Sequence, residues 1–171
     1  MKRLLFTLLA SAATATAGTT TYSPKAPVFP EPAFEEAFRV SMFGSYRHSY
    51  SSNSEESDGF GAGTSLMFPI GDSPLGVVTG FEWRDGDLVS TSAALRLDLI
   101  DLDALTIYGI GGAAYTFEGA PSSYWGYDLG LGVDIHITER ITAFLEYSYR
   151  WADRSPVGDS GSPRIGISYS F

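Results

Sequence analysis

The stretch YWGYDLGLGVDIHITERITAFLEYSYRW, Tyr124 to Trp151, decides the fold. In its first arm Trp125, Tyr127, Leu129, Leu131, Val133 and Ile135 take every second position, with Gly126, Asp128, Gly130, Gly132, Asp134 and His136 between them. In its second arm Ala143, Leu145, Tyr147, Tyr149 and Trp151 alternate with Thr142, Phe144, Glu146, Ser148 and Arg150. Period two marks an extended strand, whose successive side chains point to opposite faces. Thr138 to Arg140 is a short polar turn, so the stretch predicts an antiparallel hairpin with one apolar and one polar face.

Working outward, the alternation continues from about residue 38 to the last residue, broken by turn-forming clusters. It predicts eight strands: Phe38 to Tyr50, Phe60 to Phe68, Leu75 to Arg84, Leu88 to Leu99, Leu105 to Phe117, Tyr124 to Ile137, Ile141 to Trp151, and Arg164 to Phe171. In the last, Ile165, Ile167, Tyr169 and Phe171 share one face; in the fourth, Val89, Thr91, Ala93, Leu95, Leu97 and Leu99 do. The fifth is ambiguous, because Gly109, Gly111 and Gly112 leave either register open and are candidates for a bulge. Asp85-Gly86, between Arg84 and Asp87, predicts a two-residue hairpin turn rather than a calcium site.

Composition removes several classes. The chain has no cysteine, which excludes disulfides, thiolate metal sites and cysteine nucleophiles. Its 20 acidic against 11 basic residues give a net charge of −9. That balance speaks against nucleic acid, whose phosphates need clustered Lys and Arg. No apolar run approaches the roughly 18 residues of a membrane-spanning helix.

Residues 1–17 read as a secretory signal peptide: Lys2 and Arg3 are a basic start, Leu4 to Ala10 an apolar run, and Ala15-Thr16-Ala17 a cleavage site. Loss of Lys2 and Arg3 takes the net charge from −9 to −11. Residues 18–37, with Pro24, Pro27, Pro30 and Pro32, read as an extended Pro-rich segment, expected in the periplasm.

Alternation alone does not say which face is inside. The polar face is built largely of Gly and Ser with isolated charges, as suits a narrow interior and not a water-facing surface dense in Lys and Glu. Following the strands up and down gathers Tyr46, Tyr50, Phe60, Trp83, Phe117, Trp125, Tyr149 and Trp151 at one rim, and Phe38, Phe68, Tyr169 and Phe171 at the other. Two aromatic girdles fit the two edges of a bilayer. Short turns at 70–74, 100–103 and 138–140 oppose longer connections at 51–59 and 152–163, as periplasmic turns oppose extracellular loops. The fold class predicted is all-β, an eight-stranded antiparallel up-and-down transmembrane β-barrel over residues 38–171.

The eight strands, the terminal Tyr169-Ser170-Phe171 and the stretch Val133 to Tyr147 resemble the small outer-membrane β-barrel family of OmpA-type and opacity-type transmembrane domains. The resemblance implies residence in the bacterial outer membrane with both termini periplasmic. It also implies contact with membrane lipid and lipopolysaccharide, and an assembly signal at Tyr169 and Phe171 read by the barrel assembly machinery. The expected role is non-enzymatic, structural or adhesive through the loops, with no cofactor and a surface ligand that the sequence does not name.

The inward face carries Arg39, Arg47, Glu82, Arg84, Arg96, Asp98, Asp128, Asp134, Glu146, Arg150 and Arg164. Charges removed from water cost several kcal/mol each unless paired, so an ion-pair network of Arg47, Glu82, Arg96, Asp128, Glu146, Arg150 and Arg164 is expected to fill the lumen. A narrow pore is the alternative, although eight strands leave room only for side chains. Within the network, Glu82 and Glu146 are expected to share Arg47, Arg96 and Arg150.

Gly158-Asp159-Ser160-Gly161-Ser162-Pro163 has the form of a serine-protease nucleophile motif, but these residues suit any exposed hairpin loop and neither His48 nor His136 stands in a catalytic context. A second enzymatic alternative is a lipid A deacylase or acyltransferase using His48 with Ser49, Ser51 or Ser52. Spacing places no acid beside that histidine, and His48 faces the opposite way from Ser49 and Ser51. His136 is expected to pair with an acid at the other end, while Asp98, Asp101 and Asp103 read as solvated charges blunting a turn.

Overall fold

The computed structural model describes residues 37–50, 58–85, 88–117, 123–153 and 158–171. Residues 1–36, which include the predicted signal peptide and almost all of the Pro-rich segment, lie outside them, as do Ser51 and Ser52. Eight strands follow one another: β1 (Arg39–Ser49), β2 (Gly59–Pro69), β3 (Leu75–Arg84), β4 (Leu88–Leu102), β5 (Leu105–Phe117), β6 (Tyr124–His136), β7 (Ile141–Ala152) and β8 (Ser160–Ser170). Each pairs antiparallel with its neighbour, and β8 returns to β1, closing the barrel. Closure pairs the edge strands that an open sheet would leave free.

The polar face is inside. Arg39, Ser41, Ser45 and Arg47 of β1 are buried, while Met42 between them is 65% exposed. The same inversion holds on β6, where Asp134 is buried and Leu129, Leu131 and Ile135 are exposed. Apolar side chains form the outer wall and polar ones the core, the reverse of a water-soluble barrel. Trp83, Phe117, Trp125 and Trp151 ring the end with the longer connections, the loop end; Phe68, Tyr169 and Phe171 ring the end with the short turns, the turn end.

Three local expectations are corrected. The β3–β4 connection has three residues, since Arg84 faces Leu88 and Glu82 faces Ser90. Asp85 is drawn instead onto β2, where its N–H donates to the Phe60 carbonyl at 2.9 Å and its Oδ2 accepts the Phe60 N–H at 3.1 Å. The bulge lies in β4, not β5: Asp98 pairs with Tyr108 and Ile100 with Ile107, leaving Leu99 over. This resets the alternation, so that Asp101 comes within reach of lumenal Thr106 and Leu102 stays outside. Strand β5 itself keeps one register, with Thr106, Tyr108, Ala114 and Thr116 buried. Finally, β8 begins at Ser160 and takes in Ser160 to Pro163, residues whose composition suits a loop.

The turns explain their own sequences. In the 70–74 turn Gly71 has φ 54°, a left-handed conformation that glycine adopts without cost, and Ser73 Oγ donates to the Ile70 carbonyl at 2.6 Å. In the 137–140 turn Thr138 Oγ1 accepts the N–H groups of Arg140 and Ile141 at 3.2 and 3.0 Å.

Candidate functional site

The inward charges fall into connected clusters stacked along the barrel. Nearest the turn end, Asp134 on β6 binds two arginines: Arg39 Nη1 at 2.6 Å and Arg96 Nη2 at 2.8 Å. The Nε of Arg96 donates to Asp98 Oδ1 at 2.7 Å, and its guanidinium lies 3.7 Å from the centre of the Tyr108 ring. Tyr108 carries the network upward, its hydroxyl donating to Glu146 Oε2 at 3.2 Å.

In the middle, Arg164 on β8 bridges two carboxylates, with Nη1 3.2 Å from Glu146 Oε1 and Nη2 2.9 Å from Glu82 Oε2. Glu82 also accepts from Ser45 Oγ at 2.7 Å and ion-pairs with Arg84 Nε at 3.2 Å. Toward the loop end Arg150 holds Asp128 in a two-pronged pair at 2.5 and 2.6 Å. A chain of Arg84, Ser90, Thr116 and Arg150 links the two clusters. Arg47 donates to the Tyr124 hydroxyl at 3.2 Å. Burying these ions separately would cost several kcal/mol each, and pairing with several donors per carboxylate offsets that.

The expected sharing is therefore revised. Arg164 is the shared arginine of Glu82 and Glu146; Arg96 belongs to Asp134 and Asp98, and Arg150 to Asp128. Register is the reason: Gly76 is the β3 residue facing Arg96, six positions below Glu82, whereas Arg164 lies directly opposite Glu146 and Ser45. Asp134, Arg39 and Tyr108, together with Arg84 and Asp98, are the parts of the network that the expected set lacks. The alternation of β6 and β1 marked the first two as inward; the ambiguity of β5 concealed the third.

Side chains fill the lumen. Among the described residues, voids of about 50 and 40 Å³ lie on either side of a layer that includes Phe144 and Glu146. Each has room for no more than a few waters.

Near the turn end His136 meets two threonines and no acid directly, Thr106 Oγ1 at 2.9 Å and Thr142 Oγ1 at 3.2 Å. Thr106 gives its proton to Asp101 at 2.7 Å, so His136 Nε2 is the donor to Thr106. Asp98 and Asp101, expected as solvated turn charges, are thus engaged with Arg96 and Thr106.

At the loop end His48 does have an acid beside it. Its Nδ1 lies 2.8 Å from Asp58 Oδ2, the Ser49 N–H donates to Asp58 Oδ1 at 2.9 Å, and the Tyr46 hydroxyl reaches Oδ2 at 3.2 Å. These bonds, the Ser49 amide first, hold the Asp58 carboxyl below its ordinary pKa. The partner was missed because Asp58 is ten residues away and comes back only when β2 pairs with β1. Ser160 of the protease-like motif is buried on the lumenal face, in register with Ser49 and Arg150, whereas His48, opposite the adjoining Gly161, is exposed on the outside.

The C-terminal residues are firmly tied. Phe171 N–H donates to the Phe38 carbonyl at 3.0 Å, the two rings stack at 4.6 Å, and Arg140 Nη1 donates to the Tyr169 hydroxyl at 3.3 Å.

No protein-family profile and no curated protein matches the chain. Solved structures do. The N-terminal β-barrel domain of Pseudomonas aeruginosa OprF superposes with a TM-score of 0.59 at 12% identity, covering 78% of this chain and 97% of that one. Ail, the attachment invasion locus protein of Yersinia pestis, gives 0.56 at 14%, covering 81% and 100%. A barrel from the de novo design of transmembrane β-barrels gives 0.59 at 13%, covering 82% and 100%. A designed barrel matching as well as natural ones indicates that the likeness is one of architecture. The chain has the fold of the small eight-stranded transmembrane β-barrels of the bacterial outer membrane.

Proposed function

We propose that this is a non-enzymatic integral outer-membrane protein with a structural or surface-interaction role exercised through its loops. The observation that carries the reading is the combination of an apolar outer wall with a lumen filled by paired charges, which serves a scaffold and not a conduit. In this reading residues 1–17 are removed on export, residues 18–37 and the C-terminus stay periplasmic, and the loop end faces outward. Tyr169 and Phe171 serve as the assembly signal, and the lumenal network is a plug. The fold shared with Ail supports a surface role in kind without naming a ligand.

The test is heat-modifiable mobility on gels together with planar-bilayer conductance. A barrel whose backbone hydrogen bonds are all closed resists SDS until boiled. Extraction as a soluble monomer without detergent overturns the membrane reading, and steady single-channel currents overturn the plug.

The His48–Asp58 pair favours one second reading, a lipid A-modifying enzyme with His48 as base and Asp58 orienting it. Among the described residues no hydroxyl is hydrogen-bonded to His48, and Ser49 Oγ is buried. Mass spectrometry of lipid A from cells expressing the protein or His48→Ala separates the readings: identical lipid A in both, and in cells lacking the protein, excludes the enzyme.

A further inference from the structure

A phenylalanine sits where the alternation of β7 puts polar side chains. Phe144 stands between Thr142 and Glu146, is buried, and points into the lumen. Its ring lies against Gly166 on β8: a Cβ on that glycine would fall 2.6 Å from Phe144 Cε1 and Cζ. Ile110 on β5 stands over Gly130 on β6 in the same way, its Cγ2 3.1 Å from where a Cβ would be. Two inward glycines thus leave the space that two apolar side chains fill.

These side chains lie between the two lumenal voids. The void of about 50 Å³ is bounded by Glu82, Asp128, Arg150 and Arg164, and that of about 40 Å³ by Arg39, Arg96, Tyr108 and Asp134. Ser65, Val78, Ile110, Phe144 and Glu146 bound both, and so form the layer that parts them. Three of these five are apolar. Glu146 is the polar side of the layer, held by Arg164 from one void and by the Tyr108 hydroxyl from the other.

Charge on either side with hydrocarbon between has a consequence for water. A void lined by carboxylates and guanidinium groups takes up water, which finds several polar partners there. An apolar constriction sheds it, and with it the continuous chain of water that protons and ions need. Ion pairs fill the lumen without drying it, since their remaining donors and acceptors still bind water.

We propose that Val78, Ile110 and Phe144 form an apolar seal across the middle of the lumen, which keeps two hydrated chambers apart and stops proton leak along the barrel axis. Phe144 is its largest member. The proposal rests on the closed lumen of the reading above and names the part of the filling that makes it watertight.

The experiment reconstitutes the full chain into phospholipid vesicles holding a pH-sensitive dye, and follows the collapse of a pH gradient while valinomycin and potassium clamp the potential. Parent vesicles are expected to be as tight as vesicles without protein. Phe144→Ala should collapse the gradient about tenfold faster, because loss of the ring joins the chambers. Phe144→Leu, which keeps apolar bulk, should stay tight. Met67→Ala, which widens the chamber beside Arg39 and lies outside the layer, should leave the flux at the parent value. Heat-modifiable mobility establishes folding, and Ile110→Ala, a smaller cut in the same layer with a smaller expected leak, stands in where Phe144→Ala gives no folded band. A leaking parent overturns the closed lumen and the seal together. With a tight parent, the seal alone is overturned if Phe144→Ala and Ile110→Ala are also tight, if Phe144→Leu leaks as fast as Phe144→Ala, or if Met67→Ala leaks as they do.

Discussion

Arg164 reaches from β8 to Glu82 on β3, 82 positions away in sequence, and meets its Oε2 at 2.9 Å. Arg164 also holds Glu146, so it is the joint of the middle cluster. Removing it takes the ion pair from Glu146, which keeps the Tyr108 hydroxyl, and one of two arginines from Glu82, which keeps Arg84, whereas removing Glu82 leaves Arg164 with Glu146. Arg164→Ala should therefore destabilise more than Glu82→Ala, by about 3 kcal/mol or more against a smaller loss. Urea unfolding in lipid vesicles measures both. A double-mutant cycle should give clear coupling for Glu82 with Arg164 and near zero for Glu82 with Arg96, which binds Asp134 and Asp98.

Tyr108 lies across Gly132: a Cβ on that glycine would fall 2.2 Å from Tyr108 Cζ. Gly132→Ala should displace the ring, disturb its bond to Glu146 and cost about 1–3 kcal/mol. Gly109→Ala, whose Cβ on the outer wall meets only Leu99 Cδ1, at an ordinary contact distance of 3.9 Å, should be near neutral. The urea midpoints of the two variants, compared with the parent, check this.

Asp58 gives the loop end a pH dependence. Its pKa is lowered in the folded protein, so its bonds to Ser49, His48 and Tyr46 contribute fully above the ordinary carboxylate value near 4. That contribution is lost as pH falls through the lower folded value. The Ser49 amide resonance, followed by NMR in micelles, should shift with an apparent pKa below about 4. Asp58→Asn should abolish that step. A midpoint at or above the ordinary value would contradict the hydrogen bonding seen.

Phe171→Asp should leave export intact while the chain accumulates unassembled in the periplasm, visible as loss of the heat-modifiable band. One stacked contact with Phe38 is worth only about 1–3 kcal/mol, too little to unfold a closed barrel, so the loss would report recognition. In vitro folding of the same variant into vesicles should succeed.

The period-two alternation of β6 and β7 determined the strands, their two faces and the barrel class, because each residue's side follows from its neighbours alone. The polar composition of one face, with the girdles at both ends, determined that this face turns inward. Membership of the lumenal network was equally legible for Glu82, Glu146, Arg150 and Arg164, each on a strand of clear parity. Which charge pairs with which was not. That depends on register between strands far apart in sequence, and one residue in the β3–β4 connection moves every partner: three residues there, in place of two, set Glu82 against Ser90 instead of Val89. Asp85 chose between those turns by bonding to Phe60 on β2, and Asp58 reached His48 only because β2 returns along β1. Local sequence dictates what each strand presents to either side; only closure of the barrel decides which side chains meet across it, because those distances are fixed by strands that share no sequence neighbourhood.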